Sequence, residues 1–410
     1  MKGRLALMAV VEQGIAPRSK VALGILGLGA FVVGTAELVV VGVLDLIALD
    51  IGVRVSTAGL LVTAYAVGIS LGGPIVTALT IRLGQRVLLW VSLAVYVVGN
   101  GLAVVASDFG QMLVARVLTG TIHGLFIGVA SSVAAALVPA AYRGRAISIV
   151  FGGIGVSTVL GVPLGAFIGQ ALGWQAAFVG IVGLGVAALC LTIGLVPAVP
   201  ELGSADLRSQ VRHALAPRVL GMLAVGLLLM GGQFSAFTYL AQYLGRVTGV
   251  TGEWVSVFLF AYGIACAAGI FIGGKFADTK AYTTLVTANV VLVGVLLLMH
   301  FLGGSPVVAI ASLLVWGLFG FGLVPAFQLR VITLAGEGAD LAATLGASAV
   351  NAGIAIGAVL GGSVVTNAGD PSRVFLVAFA VCAVALPFTL ATRWYTAPRR
   401  AVPDEAAVAV

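Results

Sequence analysis

Apolar runs long enough to cross a bilayer recur twelve times along this chain, and that recurrence leaves few folds open. A crossing helix needs about 20 apolar residues. The runs are 21–44, 57–79, 87–106, 111–137, 146–169, 174–197, 218–243, 254–276, 283–302, 307–330, 341–366 and 373–394. In lipid each must be helical, because its backbone polar groups have to be satisfied within the segment. Only 9% of the 410 residues are charged and 61% are hydrophobic, against roughly 25% charged in a soluble domain. The sequence predicts an all-α integral membrane protein of twelve transmembrane helices.

The basic residues give the direction of threading. With the N-terminus inside, the inner segments hold 17 of the 21 Lys and Arg residues. The outer loops hold Arg54, Arg246 and Arg373, and Arg116 lies inside a span. That bias is the positive-inside pattern of a cell-membrane protein with both termini cytoplasmic. The net charge of +7 comes from scattered loop residues, with no basic stripe for nucleic acid. Cys190, Cys266 and Cys382 sit in apolar runs without metal or disulfide spacing. Residues 1–20 and 395–410 read as cytoplasmic tails. The apolar patch Leu5–Val11 is too short to span, and no small-residue cleavage site follows it. The polar stretch 198–217 divides the chain into six-helix units at 21–197 and 218–394.

Those units are copies. At an offset of 197 residues, "TAYAVG" at 63–68 lies over "FAYGIA" at 260–265, and Gly34 and Gly120 meet Gly231 and Gly317. Parallel six-helix repeats point to a carrier with its site between the halves, related by a pseudo-two-fold axis. Under this alignment Glu37 corresponds to Phe234 and Arg116 to Leu313.

Five stretches resemble the major facilitator superfamily, and the likeness runs over nearly the whole chain. "GTAELVVVGVL", 34–44, is similar to the first helix of its twelve-span drug/proton antiporters. "TALTIRLGQR", 77–86, and "GGKFADTK", 273–280, resemble two copies of its loop motif. "LVARVLTGTIHG", 113–124, and "GVPLGAFIGQALGW", 161–174, resemble its fourth-helix and antiporter motifs. The nearest flavour is that of bacterial chloramphenicol exporters and arabinose-type sugar exporters. The resemblance implies the major facilitator fold and gating contacts at Arg82, Arg86 and Asp278. The first loop copy departs from the pattern at Ile81, where the family has an acid; only the second copy keeps one, as Asp278. Gly161, Pro163 and Gly165 would let the fifth helix bend or seal against a partner.

Intramembrane charge marks the candidate site. A charge at membrane depth costs several kcal/mol unless paired or hydrated, so it is a functional position by default. Glu37 lies ~6 Å outward of the middle of the first span and Arg116 ~12 Å outward in the fourth. In the resembled fold both helices line the central cavity, so the two can pair directly or through water. Burial favours the neutral acid and a nearby cation the charged one, which suits Glu37 and Arg116 to proton coupling or to a fixed structural pair. His123, seven residues after Arg116, shares its face and can bind substrate, relay a proton or pack. Gln233, Phe234, Phe237 and Tyr239 of the seventh span, with Asn351 of the eleventh, are the candidate substrate wall.

The expected function is proton-coupled export of a small neutral or amphipathic drug, a phenicol being favoured, with sugar or nucleoside efflux as the alternative. The expected partners are that substrate, protons and membrane lipid. No cofactor or metal is expected, and a monomer should suffice. The sequence holds no HExxH and no clustered catalytic groups for an embedded enzyme. The two-fold repeat disfavours a symmetric channel.

Overall fold

A computed structural model describes residues 16–80, 83–139, 142–199, 207–368 and 371–395. Among them, 12 helices are long and apolar enough to cross a membrane: α1 Pro17–Ile51, α2 Val55–Val76, α3 Gln85–Val105, α4 Phe109–Ala136, α5 Ile149–Leu172, α6 Trp174–Leu195, α7 Pro217–Phe237, α8 Glu253–Ala277, α9 Thr279–Leu302, α10 Pro306–Ala335, α11 Leu341–Thr366 and α12 Arg373–Trp394. Each matches one predicted run. α1 is the main difference, reaching beyond 21–44 at both ends. Pro17 supplies its first turn, where a missing N–H costs nothing, and Gly52 ends it in a left-handed conformation (φ 73°).

Both halves use the same partners. α1 packs on α5 and α6, α2 on α4, and α3 on α4 and α6; likewise α7 packs on α11 and α12, and the α8–α9 pair on α10 and α12. The repeat extends to single residues. Gly120 of α4 lies against the Tyr65 backbone of α2, and Gly317 of α10 lies against the Tyr262 backbone of α8, each pair offset by the same 197 positions. A lipid-embedded bundle has little hydrophobic drive between helices, so close approach at small residues carries the packing. Gly120→Ala would push a methyl group into backbone that cannot rotate away. It is expected to lower stability by about 1–3 kcal/mol. Gly101→Ala opens onto free space and should gain up to about 1 kcal/mol from helix propensity. Thermal melts of the two variants in one detergent make the comparison.

Prolines shape the helices around the interface. α2 widens into a π-type turn at Gly68–Gly72 before Pro74, and α5 does so at Ser157–Gly161 before Pro163. The ring of each proline clashes with the carbonyl four residues earlier, and the widened turn accommodates it. Beyond the turn in α5, Gly161, Gly165 and Gly169 face Thr35, Val39 and Val43 of α1. The i, i+4, i+8 spacing on both helices gives a continuous close seam. The partner that these glycines seal against is therefore α1, inside the same half.

The halves meet at the end of the bundle away from the termini. There Thr63 Oγ1 donates to the Ala355 carbonyl at 3.1 Å, and Tyr239 Oη reaches the Ser56 carbonyl at 3.5 Å. Gly263 of α8 packs on Thr158 of α5. α7 breaks after Phe237, with Tyr239 outside helical geometry (φ −110°, ψ 17°), and so delivers the Tyr239 ring into this seal.

Candidate functional site

α1 is strapped at mid-membrane by side chains from three neighbours. Tyr65 of α2 and Tyr96 of α3 both reach the Val33 carbonyl, at 3.2 and 3.0 Å, and their hydroxyls lie 3.1 Å apart. Arg116 of α4 donates Nη1 to the Ala36 carbonyl at 2.7 Å, Nη2 to the Glu37 carbonyl at 3.0 Å and Nε to the Leu61 carbonyl at 3.3 Å. A helix carbonyl has a second lone pair beyond its i+4 bond, so these donors add to α1 without breaking it. The guanidinium also lies 4.0 Å above the Tyr65 ring, a cation–π contact in a dry setting. Arg116 is 1% exposed, and its charge is met by these carbonyls and the ring.

The Arg116–Glu37 pairing weighed from the sequence takes another form in the structure. The guanidinium holds the backbone of Glu37, and its carboxylate turns elsewhere. Its Oε2 lies 3.7 Å from Nδ1 of His123. Three of the five guanidinium N–H donors go to backbone carbonyls, which meet the charge without the carboxylate. Glu37 keeps 18% of its side chain exposed, while the His123 side chain keeps 6%. Nδ1 of His123 is 2.9 Å from Tyr65 Oη, with the two rings edge to face. Arg116 and His123 do share one face of α4, and Tyr65 is what they both meet.

The second half presents aromatic rings at the matching place. Phe237 stacks on Tyr262 (centroids 5.2 Å apart, planes at 29°), and Phe234 and Trp316 meet Phe237 edge-on. Gln233 is 1% exposed; its Oε1 accepts from the Trp316 indole N–H at 3.0 Å. It therefore fixes the wall from behind. Phe237, Tyr262 and Phe321 face Leu38, Thr158 and Val162 of the first half across a small cleft that Leu259 and Cys266 complete. Leu38 adjoins Glu37 on α1 but turns to a different side of the helix, so the polar cluster and the aromatic wall meet through the α1 backbone.

The remaining candidates lie apart. Tyr239 is buried in the far seal, where it donates to the Ala358 carbonyl at 2.9 Å. Asn351 donates to the Ala347 carbonyl of its own helix at 3.0 Å, and its Oδ1 is buried without a partner. Arg86 donates to the Ile193 carbonyl at 2.8 Å and so ties α3 to α6 within the first half. Arg82 lies outside the described residues, as does the Asp278 side chain. Sequence reasoning passed over Tyr65, Tyr96 and Trp316 as site residues. The available signal was a tyrosine or tryptophan inside a lipid-buried run, where the polar atom must find a partner.

Comparison with known proteins agrees with this architecture. Residues 26–345 match the family model described as Major Facilitator Superfamily. The chain is 38% identical over 353 residues to the uncharacterized MFS-type transporter YtbD of Bacillus subtilis, covering 85% of this chain and 89% of that one. It is 30% identical to a chloramphenicol resistance protein of Streptomyces lividans, covering 89% and 95%. It is 26% identical to a probable sugar efflux transporter of Helicobacter pylori, covering 88% and 93%. Among solved structures, a bacterial homolog of the human lysosomal transporter Spinster, inward-facing and occupied, superposes with TM-score 0.78 at 14% identity over 93% of this chain and 98% of that one. With twelve apolar helices in two matching halves, this chain is a multi-pass membrane transporter of the major facilitator superfamily.

Proposed function

We propose that the protein exports a small neutral or amphipathic compound of the phenicol type in exchange for protons. The observation that carries this reading is the placement of Glu37. It is an acid within a membrane span, partly exposed, one residue before the Leu38 that lines the inter-half cleft, and backed by His123 and a fixed Arg116. The second-half wall is aromatic, with Tyr262 and Cys266 as its polar members, and Thr158 faces it from the first half. Such a surface suits an arene with a few polar groups. The relative named for chloramphenicol resistance supports the substrate class. Sugar efflux is the second reading, favoured by the Helicobacter relative. A sugar presents hydroxyls all round, and the cleft offers few groups to answer them.

The carrier works by alternating access as a monomer in the cell membrane, with its termini on the cytoplasmic side. The far seal is closed in this structure, so substrate would load from the side of the termini. The test is counterflow of labelled chloramphenicol in proteoliposomes, with and without an imposed pH gradient. Gradient-driven accumulation that unlabelled chloramphenicol inhibits and arabinose does not is the expected result. Competition by arabinose alone would move the assignment to sugars.

A further inference from the structure

Nδ1 of His123 has two suitors. It is within hydrogen-bond distance of Tyr65 Oη, at 2.9 Å, and short of it for Glu37 Oε2, at 3.7 Å. A neutral imidazole nitrogen carries either a proton or a lone pair, so Nδ1 can serve one of them well at a time. We propose that His123 is a two-position switch, for which the Tyr65 hydroxyl and the Glu37 carboxylate compete. This rests on the reading of Glu37 as the coupling acid.

Counting protons assigns the two positions. Tyr65 Oη and Tyr96 Oη both reach the Val33 carbonyl, which has one lone pair beyond its helical bond and so takes one of them at a time. With Tyr96 donating there, the Tyr65 proton is free to point at Nδ1, and the imidazole proton is on Nε2. Glu37 then faces a lone pair, which suits its neutral form. In the other position Glu37 gives its proton to Nδ1, Nε2 releases its own proton to water, Tyr65 turns its hydroxyl to Val33, and Tyr96 turns its own to Tyr65 Oη, 3.1 Å away. The result is an ionised Glu37 receiving an N–H bond from a neutral His123. One proton has left the site, and the hydroxyl that lies on α1 has changed partner. Protonation is thereby written into the contact between α1 and α2.

The groups facing this switch are few. α1 supplies Glu37, α2 Tyr65, α3 Tyr96, and α4 Arg116 and His123. α8 brings Tyr262 and Cys266 to the neighbouring cleft. Tyr65→Phe removes the competing hydroxyl alone, because the ring beneath Arg116 and beside His123 remains.

The test is an infrared pH titration of the purified full chain in lipid, following the carboxylic-acid carbonyl band that Glu37→Gln deletes. Tyr65→Phe frees Nδ1 for Glu37, so the midpoint should move to lower pH, by about one unit, while His123→Leu removes the donor and should move it up by a similar amount. His123→Asn, which returns an amide donor near the Nδ1 position, should recover most of that shift. Opposite signs for the Phe and Leu variants are the signature, since loosened packing would move both the same way. Shifts of the same sign, or none in Tyr65→Phe, overturn the switch while Glu37 still titrates. If Glu37→Gln deletes no titrating band, the coupling reading falls as well, and the two failures are told apart.

Discussion

Glu37→Gln is expected to abolish uphill, proton-driven transport while leaving downhill exchange of substrate. The amide keeps the shape of the neutral acid and cannot titrate. For exchange, proton and substrate must exclude one another, so wild-type affinity should fall as the site is protonated. A coupling of 1–3 kcal/mol corresponds to a change of about 5–150-fold in affinity. Chloramphenicol binding should therefore weaken by a factor in that range between about pH 8.5 and 5.5 in the wild type. In Glu37→Gln the curve should be flat and weak, fixed at the protonated level. Binding isotherms across that range, beside gradient-driven uptake in everted vesicles, decide it. A Gln variant that still pumps uphill would leave Glu37 as a polar contact of α1 and place coupling elsewhere.

The second large effect belongs to Arg116, and it separates strap from charge. Three carbonyl bonds and a ring contact hold this side chain between α1, α2 and α4. A hydrogen bond made by a charged group is worth about 1.5–3 kcal/mol. Desolvation of the guanidinium opposes that gain, but truncation also leaves a hole among three helices. Arg116→Ala should lower stability by on the order of 3 kcal/mol and remove most transport. Lysine keeps the charge but presents a point donor in place of a planar fork. Arg116→Lys should lose much of the stability and keep pH-dependent binding, because the field at Glu37 survives. Melting temperature and binding, measured on the same preparations, separate the two contributions. Equal loss of pH dependence in both variants would show that the geometry of the strap itself sets the coupling.

The fold was legible because lipid removes ambiguity. With backbone groups barred from solvent, run length alone names the helices, and all twelve runs became helices at their expected places. Helix ends were less legible. α1 continues seven residues past the predicted end, to Ile51, through a stretch that carries Asp45 and Asp50 and that composition marks as leaving the membrane. At the site, Glu37, Arg116 and His123 stood out as ionisable groups among hydrocarbon, and the seven-residue spacing put the last two on one face. Their partners did not stand out. Arg116 chose backbone carbonyls, which every residue possesses and no sequence pattern distinguishes. Gln233 reads as a cavity amide beside aromatic neighbours, yet the room left by Gly320 lets it turn inward to Trp316. Such choices depend on rotamers and on glycines of another helix, a hundred or so positions away.

Tyr65 and Tyr262 occupy the same place in the duplicated scaffold, each backed by its own glycine on the neighbouring helix. One keeps company with Arg116, His123 and Tyr96, the other with Phe237, Trp316 and Phe321. With Glu37 as the coupling acid, energy and cargo are handled by different copies of one ancestral unit. Evolution can then work on them separately. On that reading, substitutions that resize the ring-lined copy would change what is carried and leave the half that holds Glu37 untouched. A new cargo would be met by change in one half, while the other, under its own selection, stays still.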